Sequence, residues 1–293
     1  MYSEIAANKR KTVILIAVFL VIIGMLSYFA GIYFGDFTIT IGALIGSLFY
    51  VMFSYFGSAK AALAFNGAKE IKKSDDPRLW RIVENLSITE GLPMPKVHIM
   101  DDPGLNAFAT GRDPEHASVA ITSGLLNVLE DDEIQGVMAH ELGHVKNYDI
   151  RVSLVVFGLV AVISIMADIF LRMSFFSRGR RDEENSNGIL MVVGIVAMII
   201  APIVAVLIQA AISRKREYLA DATGAMTTRY PEGLAKALEK IRDGGSTIKR
   251  QNTSTAHLFF ANPLKKKSFL SAFSTHPPVD DRIAKLRNMG SQL

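Results

Sequence analysis

The sequence contains no cysteine. That excludes disulfides and thiolate metal ligands, so any metal site must be built from His, Asp or Glu. Charge is also scarce. Charged residues make up 20% of the 293-residue chain, half of the chain is apolar, and the mean hydropathy is positive. That balance points to an integral membrane protein. Neither sign dominates, with 32 basic residues against 28 acidic and a net charge of +4. The basic residues gather at the ends of apolar runs, which fits membrane orientation; no nucleic-acid partner is expected. Internal repeats and low-complexity tracts are absent as well. The length leaves room for one large or two ordinary domains.

What is there begins with four apolar runs. Residues 12–35, "TVILIAVFLVIIGMLSYFAGIYFG", carry no charge and exceed the length of a signal-peptide core. A second run, 37–57, follows after the single polar Asp36, so the two predict a tight transmembrane hairpin over 1–57. Lys9, Arg10 and Lys11 precede it, and Lys60, Lys69, Lys72 and Lys73 follow it, which puts both flanks in the cytoplasm. Runs at 152–171 and 189–212 predict a second hairpin over 152–212. The arginine-containing loop between them sits awkwardly outside the membrane, and a pair of membrane-dipping helices is the alternative.

The intervening segments, 58–151 and 213–293, read as soluble. "DDPRLWRIVENLSITEGL" has helical spacing with Asp and Pro at its start. "KVHIM", "LNAFATG" and "HASVAITS" read as short strands. From Ser123 the pattern turns helical, and Ile134, Val137, Met138 and Leu142 form an apolar stripe. "SRKREYLADATGAM", "PEGLAKALEKIRDGG" and "DDRIAKLRNMG" read as further helices. The expected fold is mainly α: four transmembrane helices plus an α+β domain with a small β-sheet.

Chemistry concentrates in "VMAHELGHVKNYD", residues 137–149. On a helix, His140 and His144 share a face about 6 Å apart and can converge on one metal ion. Glu141, next to the first, then lies beside the metal, where a base for the attacking water is needed. Catalytic zinc usually takes a third protein ligand. No further histidine follows at short spacing, so a carboxylate is expected. Glu217 and Asp221, again four apart on a predicted helix, are the candidates: one for the metal, the other to accept a hydrogen bond from a ligand histidine. Two spans between Val145 and Arg214 return both helices to the same side of the membrane, so 58–151 and 213–293 form two halves of one protease domain.

The pattern resembles the HtpX family of bacterial membrane zinc metallopeptidases, relatives of CAAX prenyl endopeptidases and mitochondrial Oma-type proteases. The resemblance runs through "NAFATG", "AHELGHVKNYD", "REYLADATGA" and "STHPPVDDRI" and covers essentially the whole chain. It implies a zincin-like α+β cytoplasmic metalloprotease domain with one Zn2+ per chain on His140, His144 and Glu217, with Glu141 catalytic and Asp221 supporting a ligand. It also implies endoproteolysis of misfolded or damaged membrane proteins under stress, in the bacterial inner membrane, with the active site and both termini cytoplasmic. His276, in a rigid Pro-rich turn, is a candidate to stabilise an oxyanion, and Arg282 to support the same site. Asn106, Ala107 and Phe108 form a candidate edge strand that holds a peptide by backbone pairing. An ester hydrolase and a non-enzymatic scaffold are the competing function classes, and Glu141 argues against the second, since a structural metal site needs no base.

Overall fold

A computed structural model describes residues 2–34, 36–159, 214–249, 258–261 and 277–290. Two long helices open the chain, α1 (Tyr2–Phe34) and α2 (Phe37–Phe65). The Asp36 carboxylate accepts the Thr38 N–H at 2.8 Å and caps α2, which fixes the predicted hairpin. The Thr40 hydroxyl donates to the Ser27 carbonyl at 2.8 Å and ties the two helices. Both helices outrun their apolar cores. The polar residues before Thr12 are already helical, and α2 continues through 58–65 because nothing breaks it before Asn66 and the left-handed Gly67 (φ 66°).

Their outward surfaces are apolar and exposed, including Val13, Ile14, Val18 and Val21 on α1 and Phe49, Met52, Phe53 and Phe56 on α2. Among the described residues, one helical segment, Thr40–Phe65, is long and apolar enough to cross a membrane. Four spans were expected; most of 152–171 and all of 189–212 lie outside the described residues. The start of the third run is described. Residues 149–159 are helical (α6) and pack Val152, Val155, Val156 and Leu159 against Leu15 and Phe19 of α1. Gly158 permits the close approach to α2, since a Cβ there would lie 1.7 Å from the Ser54 hydroxyl.

Beyond the hairpin, the described residues form a four-stranded mixed sheet with helices packed on it. Strands β1 (Ala68–Glu70), β2 (Lys96–Met100), β3 (Ala107–Thr110) and β4 (Ser118–Thr122) lie in the order β1-β2-β4-β3. The β2–β4 pair is parallel and the other two pairs are antiparallel. Strand alternation gives the sheet two apolar faces. Val97, Val119, Ile121, Ala107 and Ala109 join the core formed with α3 (Pro77–Glu90), α5 (Asp131–Lys146), α8 (Pro231–Gly244) and α9 (Val279–Gly290). Met100, Ala120 and Phe108 face the end of α2 and Phe157 of α6. The sheet is thus clamped between the helical layer and the base of the N-terminal hairpin. The short helix α4 (Ser123–Val128) leads from β4 towards α5, and α7 (Arg214–Thr228) crosses α5. The three read strands appear as expected; β1, three residues long, left no signal in the sequence.

Candidate active site

Helix α5 presents the two histidines. Its buried stripe, Ile134, Val137, Met138 and Leu142, fixes which face turns inward. His140 and His144 then share a face with their Nε2 atoms 3.1 Å apart. Helix α7 brings the third group. The Glu217 carboxylate lies 3.5 Å from His144 Nε2 and 4.0 Å from His140 Nε2. Small residues set this close crossing: a Cβ on Gly224 would sit 3.1 Å from the His140 backbone nitrogen, and Gly143 faces the Ala220 Cα.

Two carboxylates orient the rings from behind. His140 Nδ1 lies 2.9 Å from Asp221 Oδ1, so it donates there and leaves Nε2 free to bind a cation. Arg282, only 1% exposed, forks onto Asp221 through Nε (2.8 Å) and an Nη (2.7 Å), and another Nη lies 4.0 Å from Glu217. His144 Nδ1 lies 3.0 Å from Asp149 Oδ2. The sequence reading did not single out Asp149, although it closes the quoted motif five residues after His144.

These contacts drive the site's electrostatics. Burial pushes His140 down to about 4, against the pull of Asp221. Burial also opposes charge on His144, but Asp149, Glu217 and Glu141 outweigh it and raise its pKa to about 9. Asp221 would be raised by burial, yet Arg282 and His140 hold it well below the usual carboxylate range. Glu141, 2% exposed, is raised to about 7, chiefly by burial and further by Glu217, while His144, the Ala109 N–H and Arg282 work the other way. A carboxyl poised near neutrality suits a group that must take and return a proton.

Three of the expected substrate contacts are placed otherwise. Asn106 is wholly buried and spends its amide on its own chain: Nδ2 donates to the Ser246 and Ala261 carbonyls, and Oδ1 accepts from the Ala107 and Ala261 N–H groups. No donor remains for a peptide. The Ala107 carbonyl accepts the Phe260 N–H at 2.8 Å, and Phe108 bridges to Phe259 with the two rings in edge contact. The edge beside Asn106 and Ala107 is therefore taken by residues 259–261. The Ala109 N–H instead reaches Glu141. His276 lies outside the described residues.

The donor set fits a metal. Two imidazole nitrogens and a carboxylate oxygen lie within 4.8 Å of one another. Two donors on one tetrahedral zinc ion stand about 3.3 Å apart, close to the separations found here. Two imidazole nitrogens, one carboxylate and an adjacent carboxyl base are the hard-to-borderline groups that zinc takes in hydrolytic sites.

Comparison with known proteins agrees with this chemistry. The sequence model of peptidase family M48 matches residues 73–290. A protease HtpX homolog of Tropheryma whipplei (strain Twist) is 50% identical over 292 residues, covering all of this chain and 99% of that protein. Another, of Dictyoglomus thermophilum, is 46% identical over 294 residues, covering 99% of this chain and 95% of that protein. In fold, the chain is similar to the crystal structure of S. mikatae Ste24p, with a TM-score of 0.51 at 18% identity over 98% of this chain and 67% of that one. With the family model spanning residues 73–290 and relatives matching end to end, the chain belongs to peptidase family M48 and is a metallopeptidase related to the HtpX proteases.

Proposed function

We propose that the protein is a membrane-anchored zinc endopeptidase that cleaves misfolded or damaged membrane proteins on the cytoplasmic side of the membrane. The observation that carries this reading is Glu141, buried and raised to about 7, placed directly beside three convergent donors. The ion, when bound, supplies a Lewis acid that polarises the scissile carbonyl. Glu141 takes the proton of the attacking water and returns it to the leaving amine. Asp221 and Asp149 hold the two imidazoles in the tautomer that leaves Nε2 free. Arg282 fixes Asp221 and adds positive charge beside Glu217.

The membrane part of the reading rests on the exposed apolar surfaces of α1 and α2 and on the apolar runs that follow, 152–171 with the single charge of Asp168 and 189–212 with none. Four spans, in two hairpins, keep α5 and α7 on one side. The basic flanks Lys9–Lys11 and Lys60–Lys73 favour the cytoplasmic side. The site lies close to the N-terminal hairpin, since α6 begins three residues after α5 ends and packs against α1.

Incubation of detergent-purified protein with casein, with and without zinc and a chelator, tests the chemistry. We expect zinc-dependent cleavage that Glu141→Gln reduces by about 100-fold or more while leaving the metal bound. Near-normal proteolysis by Glu141→Gln would refute the mechanism, and hydrolysis of esters alone would refute the protease reading.

A further inference from the structure

The N-terminal helix does more than anchor. Asn8 lies four residues before the apolar run and is 4% exposed. Its side-chain nitrogen donates to the Asn147 carbonyl at 2.9 Å and to Asp149 Oδ1 at 2.8 Å. Both partners are acceptors, so the amide orientation is forced. Asp149 is the carboxylate that faces His144 Nδ1 through its other oxygen. An Nη of Arg216 also approaches Oδ1, but at 3.4 Å it is near the limit of a hydrogen bond.

A second contact from the same helix turn grips the same place. The α5–α6 connection passes through Tyr148 in the left-handed region (φ 61°), an uncommon conformation for a bulky residue. The Tyr148 ring lies between the Lys9 ammonium, 4.4 Å from its centroid, and the Arg151 guanidinium, 4.7 Å away. Asn8 and Lys9 thus hold, from α1, the turn that delivers Asp149 to the ring of His144.

We propose that Asn8 is a positioning residue for His144, acting through Asp149, so that metal binding depends on the docking of the N-terminal helix against the turn after α5. This rests on the zinc reading above. The carboxylate has a fixed angle only if both oxygens are held, and the imidazole has a fixed orientation only if the carboxylate is. A site assembled in this way is complete only when the hairpin is seated on the soluble domain.

The test uses the full-length protein in lipid nanodiscs. Asn8→Leu removes the donor at similar volume, Asp149→Asn removes the charge on the next link, and the double variant combines them. Asn8→Ala is made in parallel in case leucine does not fit. Three quantities are measured: the zinc dissociation constant by chelator competition, the visible spectrum of the cobalt-loaded protein, and the melting midpoint of the metal-free protein. Asp149→Asn should weaken zinc about 10–100-fold, and Asn8→Leu about threefold to tenfold, at the lower edge of what losing a supporting group does. The cobalt spectrum should shift in both. The double variant should be no weaker than Asp149→Asn alone, because the two act in series. Unchanged zinc affinity and spectrum with a lower melting midpoint would reduce Asn8 to a structural anchor and overturn the proposal, as would additive losses in the double variant. Wild-type protein that takes up no zinc would instead overturn the zinc reading itself.

Discussion

His140 and His144 stand one turn apart on the same helix face, yet their surroundings hold them at opposite ends of the imidazole range. His140 is held to about 4 and His144 is raised to about 9. Desolvation opposes charge on both, though His144 keeps some exposure, and both face a carboxylate, so an acidic neighbour alone does not explain the difference. What differs is how each carboxylate is spent. Asp221 is already neutralised by the Arg282 fork and has little charge left to share. Asp149 is paired more loosely, with the Asn8 amide at 2.8 Å and an Arg216 Nη at 3.4 Å, and Glu217 and Glu141 add their charge. One shoulder of the site is a closed ion pair between α9 and α7. The other is an open negative cluster leaning on the N-terminal hairpin.

The closed shoulder should break hardest. Removing Arg282 leaves Asp221 buried without its counter-charge, and such losses cost about 3–5 kcal/mol of folding stability. We expect Arg282→Met to lower the melting midpoint more than any other single change at the site, and to weaken zinc through His140. A melting midpoint close to wild type would mean that Asp221 is solvated and that the two shoulders do not differ as described.

Asp149→Asn should lose less stability, about 1 kcal/mol, because the amide can still accept from Asn8. Its effect should fall on the metal, with affinity down about 10–100-fold. The paired measurement of melting and zinc affinity in Arg282→Met and Asp149→Asn separates the shoulders. Equal stability losses in both would erase the distinction.

How much of this was legible depended on sequence distance. The metal helix, Glu217 and Asp221 are i, i+4 pairs within single helices, and a periodic pattern reports them directly. Strands β2, β3 and β4 were legible for the same reason, through alternation and turn residues. Asn106 was misread because its partners, Ser246 and Ala261, are 140 and 155 residues away. A buried asparagine that clamps two loops looks like an exposed one when only its neighbours are visible. Asn8, 141 residues from Asp149, left no signal at all. Asp149 itself was within reach: an acid just past the end of a metal helix, close behind the second ligand, can turn back to that ligand's other nitrogen.

The pH dependence of zinc binding reads the open shoulder most directly. In the metal-free protein at pH 7, His144 carries a proton because its folded pKa lies near 9. Zinc needs that ring neutral, so binding must expel the proton. Affinity should therefore rise about tenfold for each pH unit from 7 to 9, or about 1.4 kcal/mol per unit, and level off above. His140, held to about 4, is neutral throughout this window and contributes no slope. The metal-free fold should show the converse. A pKa raised above the ordinary 6.5 stabilises the fold below that value, and this stability is lost as pH climbs towards 9, since the folded state binds more protons than the unfolded one. The melting midpoint of the metal-free protein should fall between pH 7 and 9 while that of the zinc-loaded protein does not. Asp149→Asn removes part of what raises His144, so its affinity should level off at a lower pH than wild type. Chelator competition at pH 7, 8 and 9 measures the two affinity slopes and thermal melting at the same pH values the third, and a zinc affinity independent of pH across that range would show that His144 is neutral before the metal arrives and that the two histidines are alike.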